Sequence, residues 1–283
     1  MPQRLKRLLP PGPAVDARAF VEELSAQWPS AQAQEQQVRA QAHAHNMQVQ
    51  STERPHLLLN MVSTLDGHAT LGGRSGAIGN RADRELFHAL RTVVDAVLVG
   101  AGTARAEHYR QLVRDKQARA LRRARGLAEE PLACIVSERL ELEGDDIPLL
   151  DTPGARVAIV TPSPASLPAE CAAQIKYVRT TAAGCLDLLA ALSELRERFA
   201  VRSVLCEGGP HLNGQLLTAG LVDELFLSLA PKLAGSEASG EMGDDALRIV
   251  AGAGFDPPLE LELLSALESE SHLFLRYRVR RRG

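Results

Sequence analysis

Residues 203–220 constrain this chain more than any other stretch. An apolar run, Val204, Leu205 and Cys206, ends in Glu207 and the pair Gly208-Gly209, with Pro210 next and Gly220 closing the segment. Proline suits the first turn of a helix, where its fixed φ fits and its missing N–H is not needed, and glycine ends helices because it enters the left-handed region. The pattern predicts a strand, a glycine turn and a helix. Such a turn lets a ligand approach the backbone with no Cβ in the way, and a helix N-terminus favours an anion, most naturally a phosphate. Glu207 would face the same crevice, at the strand end where open α/β sheets bind ligands. Taken alone, the stretch is equally well a plain strand-to-helix connection.

It is not alone. Residues 93–99 form a second apolar run, ending in Gly100-Ala101-Gly102-Thr103-Ala104-Arg105. This is not the Rossmann fingerprint, because Arg105 occupies the third glycine position and no acidic residue closes a strand about 20 residues on. Glycines after a parallel strand still let a pyrophosphate or ribose rest on the backbone, with Thr103 as a hydroxyl donor. A third run, 57–62, is apolar except for Asn60 and leads into Ser63-Thr64-Leu65-Asp66-Gly67. Those hydroxyls either cap the Asp-Gly turn or bind a ligand. The glycine-dense residues 71–79 are either a loose connection or the lid and floor of a site.

Asn80 is a suitable N-cap for a helix running to Arg91, with Leu86, Phe87 and Leu90 on its apolar stripe. Arg84, His88 and Arg91 share another face, which is either merely solvated or an arginine fork for phosphate oxygens. Residues 109–130 are basic and read as a loop and an exposed helix. Further strands are expected at 132–136, 156–161, 175–178 and 224–230, a helix at 186–199, a glycine-rich loop at 233–245, and a hairpin of 259–267 with 271–279. Strands alternating with helices, followed by a hairpin, predict an α/β fold: a mostly parallel central sheet, helices on both faces and a C-terminal antiparallel edge.

With 283 residues, 45% of them hydrophobic, the chain can fill a sizeable core. A formal net charge of −3 gives no electrostatic reason for a nucleic-acid or anionic-membrane partner. The one basic run, at 273–282, alternates with period two, as an edge strand does. Cys134, Cys171, Cys185 and Cys206 are widely spaced, with no C-x-x-C pair or metal-ligand spacing, so reduced thiols and no zinc are expected. The expected location is the cytoplasm, since neither a membrane-length apolar run nor a signal peptide stands out. Residues 1–53 differ in composition: a proline-rich start, a short helix near 15–24, then a Gln/Ala/His-rich segment, either polar helix or flexible arm, whose His43 and His45 would not share a helix face. The expected division is an N-terminal arm, 1–53, and one domain, 54–283.

The run from Asn60 to Gly67, Arg74-Ser75-Gly76, Leu90-Arg91, Asp95 to Thr103, Glu207-Gly208-Gly209 and Gly220 to Glu224 together resemble the RibD C-terminal-like pyrimidine reductases of bacterial riboflavin biosynthesis. The likeness covers about 54–280, and it resembles the free-standing form, since no zinc deaminase motif precedes it. It implies a dihydrofolate-reductase-like fold, a homodimer, and NADPH-dependent reduction of a 5-amino-6-(5-phosphoribosylamino)uracil. It further implies that Ser75, Arg91, Gln111, Arg114 and Glu207 face the substrate, with Glu207 as the catalytic candidate. Ser63, Ala77, Gly100, Gly102, Thr103, Glu107 and the turn Gly208, Gly209, Pro210, His211, Leu212, Asn213, Gly214, Gln215 would line the NADPH site, with Ser137 and Arg139 near the 2′-phosphate. Hydride transfer mainly needs two carbons held close and aligned, so a dedicated catalytic side chain is not required. The chain departs from the family pattern at Asn60 (usually Lys), Ala77 (usually Trp) and Glu107-His108-Tyr109 (usually acidic-acidic-Pro). Two alternatives stand beside this: reduction of another planar heterocycle, such as a dihydropterin, on the same scaffold, and a non-catalytic nucleotide-binding protein.

Overall fold

A parallel strand buried on both faces alternates its side chains between two cores, and that alternation organises the molecule. The computed structural model describes residues 2–28, 54–142, 146–168, 171–182, 185–235, 248–252 and 254–280. The N-terminal part holds β1 (Arg4–Leu9), β2 (Gly12–Asp16), α1 (Ala17–Ser25), β3 (His56–Thr64) and α2 (Arg81–Arg91). Then follow β4 (Ala96–Gly100), α3 (Ala101–Ala106), α4 (Lys116–Ala124), β5 (Leu132–Val136), β6 (Arg156–Val160) and β7 (Gln174–Val178). After the small pair β8 (Thr181–Ala182) and β9 (Cys185–Leu186) come α5 (Leu188–Phe199), β10 (Ser203–Cys206), α6 (Pro210–Thr218), β11 (Glu224–Ala230), β12 (Leu261–Ser269) and β13 (His272–Val279).

The main sheet runs β2-β1-β12-β13-β11-β3-β10-β4-β5-β6-β7. From β11 to β7 every neighbouring pair is parallel, and from β11 through β13 and β12 to β1 and β2 every pair is antiparallel. This is the expected α/β architecture. Leu58, Val97, Leu205, Ile135 and Ile159 pack with α1 and α2, while Leu57, Leu98, Cys206, Cys134 and Ala158 pack with α5 and α6 on the other face.

The proline-rich start behaves differently from an arm. β1 pairs with β12, and so covers what would have been the open edge of the C-terminal hairpin. Pro13 is tolerated because β2 is itself the outermost strand. α1 begins two residues into the expected helix, its first turn capped by the Asp16 side chain, which accepts from Ala19 N at 2.9 Å. His43 and His45 lie outside the described residues, as does most of the loop expected at 233–245. At β4 the expectation began three residues early. Thr92 N and Val93 N continue the end of α2 by bonding the carbonyls of Ala89 and Leu90.

β10, late in sequence, inserts between β3 and β4. The carboxyl ends of β3, β10, β4 and β5 therefore stand side by side, carrying respectively Ser63-Thr64, Glu207 to Gly209, Gly100 to Thr103, and Ser137 to Arg139. No helix among the described residues is long and apolar enough to cross a membrane.

Candidate active site

The two glycine turns interlock. Gly100 N donates to the Gly208 carbonyl at 2.9 Å, and Gly209 N donates to Thr103 Oγ1 at 3.1 Å. Gly208 has φ of +95°, and a Cβ there would stand 3.3 Å from the Met61 sulfur, so the turn needs glycine on both counts. Gly209 is the N-cap of α6, with Pro210 as its first residue, and the amides of such a first turn lack intrahelical acceptors.

Beyond this turn opens a cavity of about 1090 Å³. Thr103, Gly208, Gly209 and Pro210 line one part, Asn60 and Met61 the floor, Ser75, Gly76 and Glu107 one side, and α2 with residues 108–118 the opposite wall. Ser75 and Glu107 are joined: Ser75 N and Oγ donate to Glu107 Oε1 at 3.0 and 2.8 Å. Gln111, Arg114 and His108 line the cavity as well.

Arg91 and Glu207 meet as a buried fork, and here the structure corrects the expectation of a phosphate-binding Arg91. Arg91 Nε donates to Glu207 Oε1 at 2.7 Å, Nη2 to Oε2 at 2.6 Å, and Nη1 to the Leu112 carbonyl at 3.1 Å. Its guanidinium also lies 4.2 Å from the centre of the Phe87 ring. Three of its five N–H groups are thereby committed and its charge is matched by Glu207, so it is not a bare cation awaiting a phosphate. The buried Tyr109 hydroxyl donates to the same Glu207 Oε2. Burial pushes the Arg91 pKa down, but the Glu207 charge outweighs it and holds the guanidinium above its ordinary value. Burial, reinforced by the same negative charge, holds the Tyr109 phenol well above its own. Arg122, fully buried, braces this end of α2 by donating to the carbonyls of Arg91 and Val94 at 2.6 and 2.8 Å.

The cationic face survives without Arg91. Arg84, Arg110 and Arg114 are exposed on the cavity wall, and their guanidinium groups meet no hydrogen-bond or ion-pair partner among the described residues. His88 is held below its ordinary pKa, first by desolvation, then by the charge of Arg91, with Arg114 and Arg84 adding to it and Glu207 opposing.

Other expected contacts lie off the cavity wall. Ser63 is buried and its hydroxyl donates to the Thr64 carbonyl at 2.7 Å, so it serves the turn. Ala77 is exposed, and Lys232 Nζ pins its loop by donating to the carbonyls of Ala77 and Ile78 at 2.7 and 2.9 Å. Gly102 and Arg139 are exposed, and Ser137 Oγ accepts from Leu140 N at 3.1 Å. On α6, Leu212, Asn213 and Gly214 face inward. Leu212 sits in the core, Asn213 Nδ2 donates to the Ile249 carbonyl at 2.6 Å, and a Cβ on Gly214 would come within 2.1 Å of the Ala251 oxygen. His211 and Gln215 are exposed. The run 208–215 thus offers a ligand its glycine turn and first helical turn, not its inward side chains. Sequence reasoning missed the Tyr109 contact, whose partner is 98 residues away, and the lining by Ala17 and Arg18 of α1, hidden in a segment that looked like an arm.

An α/β protein with a cleft across the carboxyl ends of a parallel sheet, glycine turns at one end and exposed arginines at the other, is of the class of open-sheet proteins that bind their ligands at the strand ends. The sequence matches the family described as the RibD C-terminal domain over residues 55–272, and the chain belongs to that family. The 2,5-diamino-6-ribosylamino-4(3H)-pyrimidinone 5′-phosphate reductase of Methanothermobacter thermautotrophicus is 28% identical over 232 residues, covering 80% of this chain and 99% of that protein. The riboflavin biosynthesis protein RibD of Mycobacterium tuberculosis is 32% identical over 189 residues, 66% of this chain but 45% of its own length. Among solved structures, a pyrimidine reductase-like protein from Corynebacterium diphtheriae has a TM-score of 0.63 at 24% identity, covering 85% of this chain and 98% of that one.

Proposed function

We propose that this chain is an NADPH-dependent reductase of riboflavin biosynthesis that converts the ribosylamino group of a phosphorylated pyrimidine, of the 5-amino-6-(5-phosphoribosylamino)uracil type, to ribitylamino. The observation that carries this is one cavity with two unlike ends, a Cβ-free turn at a helix start and a wall on which Arg84, Arg110 and Arg114 meet no carboxylate partner among the described residues. The relatives named as reductases of a ribosylaminopyrimidine 5′-phosphate support it.

The residues present fit a dinucleotide. The interlocked turns suit its pyrophosphate, and Ser137 and Arg139, at the end of β5 two strands from β10, suit the 2′-phosphate that distinguishes NADPH from NADH. When bound, the nicotinamide supplies the hydride that adds to the anomeric carbon of the substrate. Arg114, with Arg84 and Arg110, holds the phosphate, while Ser75 and Glu207 address the pyrimidine edge. Glu207 already accepts three hydrogen bonds, so it orients the ring and is not the proton donor. A cytoplasmic homodimer belongs to the same reading.

NADPH oxidation followed by absorbance tests it, using the phosphoribosylaminouracil, its 2,5-diaminopyrimidinone counterpart, the dephosphorylated forms and dihydrofolate. Turnover is expected with phosphorylated pyrimidines, and Arg114→Ala should raise their KM about tenfold or more while leaving the KM for NADPH unchanged. Turnover of dihydrofolate instead, or an Arg114→Ala enzyme that still prefers the phosphorylated substrate with unchanged KM, refutes the assignment.

A further inference from the structure

Resting on that reductase assignment, we propose that Tyr109 is a positioning residue: its buried hydroxyl locks the Glu207 carboxylate so that a single acceptor site is left for an N–H of the pyrimidine. A carboxylate has about four lone-pair sites. Arg91 Nε takes one on Oε1, and Arg91 Nη2 and the Tyr109 hydroxyl take the two on Oε2. What remains is one site on Oε1, on a residue that lines the cavity.

The arginine fork, itself held by the Leu112 carbonyl and the Phe87 ring, fixes the carboxylate plane but leaves a second site open on each oxygen. Tyr109 approaches from a different part of the chain and fills the one on Oε2. Its own backbone is anchored on both sides, its N–H donating to the Ala104 carbonyl at 2.9 Å and its carbonyl accepting from Leu149 N at 2.9 Å. The Arg91 guanidinium lies 5.6 Å from the Tyr109 ring centre and 4.2 Å from that of Phe87, so the tyrosine steadies both members of the pair. A heteroaromatic ring presented to a carboxylate with one free acceptor can dock in one register, with a ring or exocyclic N–H on that oxygen.

Tyr109→Phe tests this, since it keeps the ring and removes only the hydroxyl. The titratable groups facing Glu207 are Arg91 and His88 of α2, Tyr109 from the segment after α3, and the neighbouring Cys206 thiol. Of these donors to the carboxylate only the phenol is lost in the variant. The KM for the phosphorylated pyrimidine should rise about tenfold, with the NADPH KM within about twofold of wild type. Site-specific replacement of Tyr109 by 4-fluorophenylalanine, which has nearly the shape of tyrosine but no O–H to donate, should raise the same KM about tenfold, and covers the case in which Tyr109→Phe does not fold. A variant that merely loses thermal stability, with both KM values unchanged, overturns the inference while the reductase assignment stands. Wild-type enzyme that reduces no phosphorylated ribosylaminopyrimidine overturns both.

Discussion

The Arg91–Glu207 pair decides between two pictures of this site, and a double-mutant cycle separates them. The side chains are 9% and 2% exposed, and the pair is made by two charge-assisted hydrogen bonds of 2.7 and 2.6 Å. Removing one member of such a pair strands the other charge in the interior, at a cost of about 3–5 kcal/mol. Arg91→Met should therefore destabilise by about 4 kcal/mol. With a urea m-value of about 3 kcal/mol/M for a chain of this size, the unfolding midpoint falls by about 1 M. Glu207→Gln keeps an acceptor for Tyr109 but leaves Arg91 charged and unmatched. In Arg91→Met/Glu207→Gln neither charge is stranded, so the double variant should be about 2 kcal/mol more stable than the sum of the singles predicts. Urea unfolding followed by circular dichroism on the four proteins measures this. Were Arg91 instead a free phosphate ligand, Arg91→Met would alter stability by no more than about 0.5 kcal/mol and act on KM alone. Additivity within about 0.5 kcal/mol would refute the buried lock.

Two further outcomes follow from local geometry. Gly208→Ala puts a side chain at φ +95° and a Cβ 3.3 Å from the Met61 sulfur; it should cost about 1–3 kcal/mol and weaken NADPH binding about tenfold by calorimetry, and an unchanged Kd would remove this turn from the cofactor site. The Asp66 carboxyl is drawn down to about 2, first by the Thr64 hydroxyl and then by the Gly235 amide. Because its pKa is depressed in the fold, the hold that Asp66 exerts on residues 234 and 235 is complete above the ordinary carboxylate pKa and lost as pH falls towards 2. A carbon-detected NMR titration should find it near 2 in the wild type and higher in Thr64→Val, whereas titration at the ordinary carboxylate pKa in the wild type would show that the clamp does not form in solution.

What the sequence alone determined is what local periodicity and punctuation encode. Apolar runs ending in glycine, Asn80 before its helix, and Pro210 and Gly220 bracketing another, marked strands, turns and helices, because each signal is read within a few residues of where it acts. The same patterns carried the resemblance to the family that residues 55–272 match. They could not reveal that β10 threads between β3 and β4, which brings the two glycine turns into contact, nor that the proline-rich start completes the sheet edge. Side-chain commitment was equally out of reach. Arg91, on a helix face that also carries Arg84 and His88, looks as free as they do, yet Glu207, 116 residues beyond Arg91 and 98 beyond Tyr109, arrives to close the triad with both. Whether a charge is spent in the interior or left bare for a ligand depends on what the fold packs against it, and only the tertiary structure decides that.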